Sequence, residues 1–304
     1  MSRFFRHLCM AFVALCVAAT VAAAPPEPLL WKASTRDGNV YLLGSFHLLK
    51  KRDYPLDARV ETAYAAARSV VFEVDPDEMA SPETLAAIQN LARFSDGRTL
   101  RSVISAETAE KLQAFLGGEA AMKGADAFKP WFMSVNLSVG MMSMTGLDPK
   151  LGLDQHFMQR ARKDGKKIAG LETAVDQIGA LDGAPMSEQA AMLTDALAPF
   201  AEVKQKINDM HDAWRSGDVE RLAAMVNAEM AEKTPHSYRL LGRDRNLKWL
   251  PQLRGLLDEG GSHLVIVGAM HLLGEDGLVE LLRQRGVKVE RVEAVELLPV
   301  NEAA

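Results

Sequence analysis

Cysteine is almost absent from this chain of 304 residues: it holds only Cys9 and Cys16, and both lie in an apolar segment at the N-terminus. If that segment is removed, the protein can form no disulfide bond. It also has no thiolate to serve as a nucleophile or a metal ligand. Any metal ion would have to be bound by His, Asp, Glu or water.

The chain also lacks an excess of positive charge, because 35 Lys and Arg stand against 40 Asp and Glu and the formal net charge is -5. No basic patch with interleaved aromatic residues is present in the sequence. Nucleic acid is therefore not an expected partner. Beyond the N-terminal segment no apolar run approaches the roughly 20 residues of a membrane-spanning helix. We expect no membrane span in the processed protein.

The N-terminus has the features of a cleaved secretory signal. Arg3 and Arg6 precede an apolar run, and Ala22 and Ala24 form an A-x-A site before two prolines. Such segments are removed on export, whereas an uncleaved anchor needs a longer run, of about 20 apolar residues. The sequence thus predicts a signal peptide at 1–24 and a single domain at 25–304 in the periplasm or outside the cell. Losing the two arginines changes the formal charge from -5 to -7.

Apolar runs alternate with helical stretches along the rest of the chain. The runs at 29–34 and 40–43 predict a hairpin with its turn at 37–39, and further strands are predicted at 69–74, 167–172 and 263–268. Strands that alternate with helices are typical of an α/β fold whose mixed sheet is largely parallel. We expect the helical stretches near 80–145 and 185–230 to be insertions that form a cap.

One of these helical stretches is rich in methionine, with Met133, Met141, Met142 and Met144 close together. Methionine fills irregular gaps in protein interiors. A plain core is therefore the expected role, and a pocket for an apolar ligand is the alternative.

The same pattern, Gly-x-x-His-Leu-Leu, occurs twice: GSFHLL at 44–49 and GAMHLL at 268–273. Each copy follows an apolar run, so His47 and His271 are predicted at the carboxyl ends of two strands. A glycine at a strand exit permits a sharp turn or a close backbone approach. Because the chain has only seven histidines, the repeated pattern makes His47 and His271 candidates for a shared site.

Two glutamates, Glu73 and Glu172, end two further predicted strands. Ligands in open α/β sheets bind outside the carboxyl ends of the strands, so the four side chains are expected to meet there. Two imidazoles and one or two carboxylates suit a divalent transition metal. They could equally act without metal, with a His as general base and a Glu as its partner. The Gly-x-x-His-Leu-Leu pattern does not surround four other histidines, which we expect to be structural: His156, His211, His236 and His263.

These residues belong to a longer ordered set of motifs. The set is Gly44-x-x-His47, Phe72-Glu73-Val74-Asp75, Gly152-Leu153-Asp154, Gly170-Leu171-Glu172-Thr173 with Gln177, Arg245-Asn246, and Gly268-Ala269-x-His271-Leu272-x-Gly274. As a set it resembles the TraB/GumN family, which includes the Tiki-type metalloproteases. The resemblance extends from about residue 31 to residue 292.

The resemblance implies a fold similar to that of the erythromycin-esterase and ChaN-like proteins, with a sheet built from two related halves. It also implies a divalent-metal hydrolytic site, with Mn, Zn or Co bound by His47, His271, Glu73 and Glu172 and with Arg245 and Asn246 as polar partners. Unlike the Tiki proteins, the chain ends in an apolar stretch at 296–300 that is too short for an anchor. A Wnt-like substrate is not implied.

Two of the polar residues have competing interpretations. Asp154 either caps the helix that is predicted to start at Gln155 or belongs to the site. Arg245 lies in an amphipathic stretch, where an arginine is ordinarily a surface residue or an ion-pair partner. The adjacent Asn246 and the family pattern favour a site role.

The leading functional hypothesis is an exported metal-dependent hydrolase that acts on peptide or amide bonds of a peptide or small molecule. In it, His47, His271 and one glutamate bind a metal that activates water. The other glutamate, Glu73 or Glu172, is the general base, and Arg245 or Asn246 stabilises the oxyanion. The alternatives are a non-catalytic protein that binds a ligand such as haem, and a metal-free esterase that uses the same His and Glu residues.

The repetition also makes a geometric prediction. If each half of the sheet delivers one histidine, the imidazoles of His47 and His271 must lie within a few ångströms of one shared point. Glu73 and Glu172 should border the same cavity, with Arg245 or Asn246 on its wall.

Overall fold

The computed structural model of the protein describes residues 24–294. The predicted signal segment, apart from Ala24, and the apolar ending at 296–300 lie outside the described residues. Signal cleavage and the absence of a C-terminal anchor therefore stay predictions.

A mixed six-stranded sheet forms the centre of the described chain. Its strands are β1 (Leu30–Ser34), β2 (Gly38–Ser45), β3 (Ser69–Val74), β4 (Lys167–Glu172), β5 (Gly261–Gly268) and β6 (Lys288–Arg291). They lie in the order β4-β3-β5-β2-β1-β6. The strand β1 is antiparallel to both of its neighbours, and the other adjacent pairs are parallel. The prediction of a largely parallel α/β sheet is confirmed.

The hairpin of β1 and β2 is also confirmed, but its turn lies earlier than predicted. Asn39 pairs with Ser34 inside the hairpin, and Gly38 already pairs with Gly261 of β5. The hydroxyl of Thr35 accepts from the backbone N–H groups of residues 37 and 38. A threonine hydroxyl can thus close a turn, and the Asp-Gly-Asn signal placed the turn wrongly at 37–39.

Helices cover both faces of the sheet and connect its strands. They are α1 (Ala58–Ala66), α2 (Pro76–Met79), α3 (Pro82–Leu91), α4 (Leu100–Val103), α5 (Ala106–Leu116), α6 (Glu119–Ala125), α7 (Pro130–Met144), α8 (Leu153–Lys163), α9 (Ala174–Asp182), α10 (Met186–Ala196), α11 (Phe200–Arg215), α12 (Val219–Ala223), α13 (Glu229–Lys233), α14 (Pro235–Tyr238), α15 (Asp244–Asp258) and α16 (Leu278–Arg283). Short 3-10 turns occur at Lys51–Asp53, Pro149–Leu151 and Ala269–Leu272. Two π-helical turns, Ala224–Ala228 and Arg239–Arg243, follow α12 and α14.

The helices α3 to α7 lie between β3 and β4, and α10 to α13 lie between β4 and β5. The two groups share a small core of their own, formed by Leu100, Leu112, Met122, Ala125, Leu137 and Leu193. None of the helices within residues 24–294 combines the length and the hydropathy that a bilayer crossing requires.

The central strands are buried on both faces, which explains their nearly unbroken apolar sequences. Val265, Ile266 and Val267 of β5 are fully buried, and so is Leu42 of β2. Parallel strands that are covered by helices on both faces have such continuous apolar sequences. Because β2, β3, β4 and β5 run in the same direction, their carboxyl ends meet at one edge of the sheet.

Candidate functional site

The two copies of the hexapeptide leave the sheet side by side. β2 and β5 are parallel neighbours, and Ser45 lies opposite Gly268. His47 Nε2 lies 3.4 Å, and His271 Cδ2 3.8 Å, from the point that a Cβ atom on Gly268 would occupy. Both imidazoles therefore approach one point above Gly268, as the repeated pattern predicts.

Glu73 reaches the same point from the neighbouring strand β3. Its Oε1 accepts from the backbone N–H of Gly268 at 2.6 Å, and its Oε2 accepts from Gln177 Nε2 at 2.9 Å and Arg245 Nη2 at 2.6 Å. Burial alone would raise the pKa of Glu73, but the imidazole of His271 and the guanidinium of Arg245 outweigh it and lower that pKa to about 2. Glu73 is consequently ionised at neutral pH.

Glu172, at the end of β4, lies on the other side of Arg245. Its Oε1 accepts from Arg245 Nε at 2.9 Å and Nη2 at 2.5 Å, and its Oε2 accepts from Trp249 Nε1 at 3.2 Å. Burial raises the pKa of Glu172, and the bond to Arg245 opposes that rise. The Trp249 ring also lies 4.8 Å from the guanidinium carbon. Sequence reasoning missed Trp249, although its spacing of four residues from Arg245 places both on one helix face.

Arg245 uses every N–H that a guanidinium has. Besides Glu73 and Glu172, its Nη1 donates to the carbonyl of Leu241 at 3.1 Å and to His271 Nε2 at 3.0 Å. A guanidinium carries five N–H donors, and these contacts account for all five. Its side chain is only 8% exposed. In this arrangement Arg245 has no donor for a substrate oxyanion, and its role is to hold the two carboxylates.

The partners of His271 determine where its proton lies. Asn246 Nδ2 donates to the carbonyls of His271 at 3.3 Å and Asp276 at 2.7 Å, so Asn246 Oδ1 accepts from His271 Nδ1–H at 2.8 Å. The opposite ring nitrogen accepts from Arg245. Burial lowers the pKa of His271 to about 4, so the ring is neutral. Asn246 therefore positions His271 and has no N–H left for an oxyanion.

His47 differs from His271 because 60% of its side chain is exposed. Its Nδ1 lies 2.8 Å from Asp154 Oδ2, which also accepts from the hydroxyl of Ser45 at 2.5 Å. The Asp154 carboxylate raises the pKa of His47 from 6.5 to about 9. Its Nε2 makes no hydrogen bond to any residue in the described range.

Asp154 belongs to the site and does not cap a helix. α8 starts at Leu153, Gly152 occupies the N-cap position, and no side chain caps this end. The backbone N–H of Leu153 donates to the carbonyl of Phe46 at 3.4 Å. The start of α8 thus packs against the segment before His47, and its first turn presents Asp154 to the imidazole.

A cavity of about 490 Å³ opens in front of His47. It is lined by His47, Phe72, Glu73, Val74, Pro76, Met79, Ala80, Asp154, Gln155, Met158, Arg162 and Gln177. A pocket of this size can bind a small molecule or part of a peptide. Glu172, Arg245 and Asn246 are not among the residues that line this cavity, and their role at the site stays a prediction. They lie behind Glu73 with His271, in a buried polar network.

Three of the four predicted metal ligands, His271, Glu73 and Glu172, already bind Arg245. Within residues 24–294, no three His, Asp or Glu side chains are arranged to bind a metal ion. His271 Nε2 accepts from Arg245, and Glu73 and Glu172 both bind the same guanidinium. A divalent cation would have to displace this buried positive charge. The donor set fits a metal poorly in this arrangement, and metal binding stays a prediction.

One buried histidine outside the site was not singled out by its sequence context. His211 Nε2 lies 2.8 Å from Asp53 Oδ2, and Arg215 Nη1 lies 2.7 Å from Asp53 Oδ1. The His211 ring packs edge-on against Phe46, with ring centroids 5.9 Å apart. The cluster ties α11 to the segment around His47. Its members are too far apart in the chain for a sequence pattern to join them.

The raised pKa of His47 makes a direct prediction about Asp154. In Asp154→Asn the carboxylate charge is lost, so the pKa of His47 should fall towards 6.5 when its Cε1–H resonance is titrated by NMR. In the wild type the pair stabilises the fold fully below about pH 6.5, and this contribution disappears as the pH rises through about 9. Asp258→Asn, an exposed acid on α15, is the control and should leave the titration unchanged. An unaltered pKa in Asp154→Asn would contradict the assignment.

The chain is similar in sequence to known proteins over most of its length. The chain is 25% identical over 244 residues to an uncharacterized protein, YbaP, of Escherichia coli (strain K12) and, equally, to YbaP of Shigella flexneri. The match covers 80% of this chain and 87% of each relative. No solved structure matches it. The model of the TraB/PrgY/gumN family matches residues 29–291, a range that holds all six strands and the whole site, and the chain belongs to that family.

Proposed function

We propose that this protein is a hydrolase of ester or amide bonds in which His47, oriented by Asp154, is the general base that activates a water molecule. One observation carries the proposal. His47 is held by a carboxylate at one ring nitrogen, while the other faces the cavity without a partner among the described residues. This is the arrangement that a general base requires.

The imidazole of His47 accepts and later returns the proton that moves in this reaction. His47 Nε2 takes a proton from water as the water attacks the carbonyl carbon, and Asp154 stabilises the resulting imidazolium through Nδ1–H. The leaving group then receives the proton from Nε2. Because Asp154 raises the pKa of His47 to about 9, the neutral ring becomes more abundant as the pH rises. The rate should therefore increase between about pH 6.5 and pH 9.

An oxyanion donor is available in Gln177. Its amide lines the cavity and donates to Glu73, and the second amide hydrogen has no acceptor among residues 24–294. We assign that N–H to the oxyanion that forms during attack. The buried network of Arg245, Glu172 and Asn246 supports this wall because it holds Glu73 in place.

The cavity lining favours a substrate with an apolar group next to the scissile bond. Phe72, Val74, Met79 and Met158 supply an apolar wall, and Arg162 stands at the edge. A peptide with an apolar side chain, or a small ester, fits this chemistry. The proposal places the enzyme in the periplasm or outside the cell, on the strength of the predicted signal at 1–24.

The proposal is tested by turnover of chromogenic esters and aminoacyl anilides. His47→Gln should lower kcat by about 10²- to 10⁴-fold, the usual contribution of a general base. His236→Gln is a matched control, because His236 is also 60% exposed and its Nδ1 also lies 2.8 Å from a carboxylate, that of Glu188. The control should keep full activity. Folding of both variants is checked by circular dichroism.

Two additional measurements distinguish the competing hypotheses. Elemental analysis and a strong chelator decide the metal requirement, because a metal-free His47 base retains its rate in the chelator. A haem titration decides the non-catalytic hypothesis, because haem ligation produces a Soret band. Equal turnover by wild type and His47→Gln would overturn the proposed base.

A further inference from the structure

A second cavity lies between the helical insertions, and methionine is the commonest residue among those that line it. Its volume is about 310 Å³. Met141 and Met142 come from α7, Met192 from α10, Met210 from α11, and Met225 and Met230 from the segment that follows α12. It shares no lining residue with the cavity in front of His47. Its walls are predominantly apolar, and it has no role in the proposed hydrolysis.

We propose that this cavity binds an unbranched aliphatic chain with an anionic head group, a ligand of the fatty-acid class. Methionine side chains are unbranched and flexible, so they adapt to a chain that has no fixed shape. No aromatic side chain occurs among the described residues that line the cavity. It therefore offers no flat surface for stacking a ring, and an aliphatic ligand suits it better than a planar one.

The head group is inferred from the rim. Lys206 and Lys233 both donate to the same atom, Glu229 Oε1, at 2.7 and 2.8 Å, and about half of each lysine side chain is exposed. An ammonium group has three donors, so each lysine retains hydrogens for another anion. Asp195 on α10 also lines the rim, so the two lysines and the two acids sum to zero charge, and the lysines would bind an anion through their remaining N–H donors. A carboxylate ligand would bind the two lysines next to Glu229.

The walls of this cavity also support both histidine segments. Met225 and Val226 line it, while the next residue, Asn227, donates to the carbonyls of Met270 at 3.0 Å and Leu273 at 3.1 Å. The π-helical turn at Ala224–Ala228 contains all three of these neighbours. On another side, Met141 and Ile207 pack in one apolar cluster with Leu48, the residue after His47. A bound chain should therefore reduce the motion of the segments at 46–49 and 270–273.

Binding is tested by titrating the full protein with dodecanoate below its micelle concentration, using calorimetry. Ser138→Phe adds a ring to the cavity wall and should weaken binding by about tenfold or more, because it displaces several methylene groups. Ser143→Phe places the same ring on an exposed position of the same helix and should bind as the wild type does. Met192→Gln, which conserves volume and adds an amide, is a second variant and should also weaken binding.

Two further experiments test the head-group contact and the effect on the histidine segments separately. Lys206→Gln combined with Lys233→Gln should weaken dodecanoate but leave dodecanol unchanged. Amide exchange at 46–49 and 270–273 should slow when dodecanoate is bound. The proposal is overturned if the wild type does not bind dodecanoate, or if Ser138→Phe and Ser143→Phe bind it equally. It is also overturned if the wild type is a dimer that Ser138→Phe dissociates, because a second copy would then be the occupant.

Discussion

Replacing Arg245 with methionine should destabilise the fold by about 3–5 kcal/mol at pH 7, the usual cost of leaving a buried charge without its partner. Glu73 and Glu172 share this one guanidinium, and their side chains are 10% and 6% exposed. Without Arg245, both carboxylates would be buried with only neutral donors. Urea denaturation of the wild type and the variant measures the difference.

The pH dependence identifies the cause of that loss. In the wild type, the pKa of Glu73 is lowered from 4.5 to about 2. Its contribution to stability is therefore present above about pH 4.5 and is lost as the pH falls through about 2. In Arg245→Met the two carboxylates gain protons more readily. The variant should consequently lose less stability at pH 5 than at pH 8.

A control on the same helix separates this effect from a general loss of charge. Arg254 is exposed, and among residues 24–294 it pairs only with Asp258, one turn away. Arg254→Met should change stability by no more than about 0.5 kcal/mol, as exposed pairs do. Adding Glu73→Gln and Glu172→Gln to Arg245→Met should recover part of the loss. If Arg245→Met loses under about 1 kcal/mol, or the same amount at pH 5 and pH 8, the network does not hold the carboxylates as described.

The sequence was sufficient to predict the sheet and the meeting of its strand ends. Apolar runs such as 263–268 are buried on both faces in a parallel sheet, which leaves a clear pattern. The repeated Gly-x-x-His pattern marked two adjacent strand exits, so His47 and His271 could be placed together before their partners were known. Local sequence patterns of this kind are enough to predict where strands lie and where they end.

The chemical role of each side chain was not accessible in the same way. Whether Arg245 can donate to a substrate depends on how many of its five N–H groups are already engaged. Apart from the Leu241 carbonyl, those partners come from β3, β4 and the 3-10 turn after β5. No pattern along α15 contains that information. The four predicted metal ligands looked equivalent in the sequence. Among the residues that the structure describes, His47 has no partner for its Nε2 at the cavity, while His271 is neutral and bound at both nitrogens.

The residues that line the methionine cavity could not be predicted from the sequence either. The sequence drew attention to four methionines near α7, but Met144 is 65% exposed. Four of the six that line the cavity come from other helices, so their meeting depends on how the two insertions pack. Helical periodicity predicts that each helix exists, but it does not predict which helix covers which.

Gly152→Ala should destabilise the protein by about 1–3 kcal/mol, the usual effect of forcing an extra carbon into a packed site, and should also misplace the Asp154–His47 pair. The backbone of Gly152 has φ -56° and ψ 148°, which alanine adopts without strain. An added Cβ would nevertheless collide with the carbonyl group of His47, with 2.6 Å to its carbon. Since this neighbour is backbone, either α8 or the segment at 46–47 must move. Either movement separates Asp154 from His47.

Three measurements on Gly152→Ala should agree. Its free energy of unfolding should fall, the pKa of His47 should drop towards 6.5 as Asp154 moves away, and turnover should decrease with it. Gly140→Ala on α7 is the matched control, because a Cβ there meets nothing within 4 Å. As a glycine inside a helix, its replacement should stabilise the protein by about 0.5–1 kcal/mol. Wild-type stability together with a wild-type His47 pKa in Gly152→Ala would show that α8 is not what positions the Asp154–His47 pair.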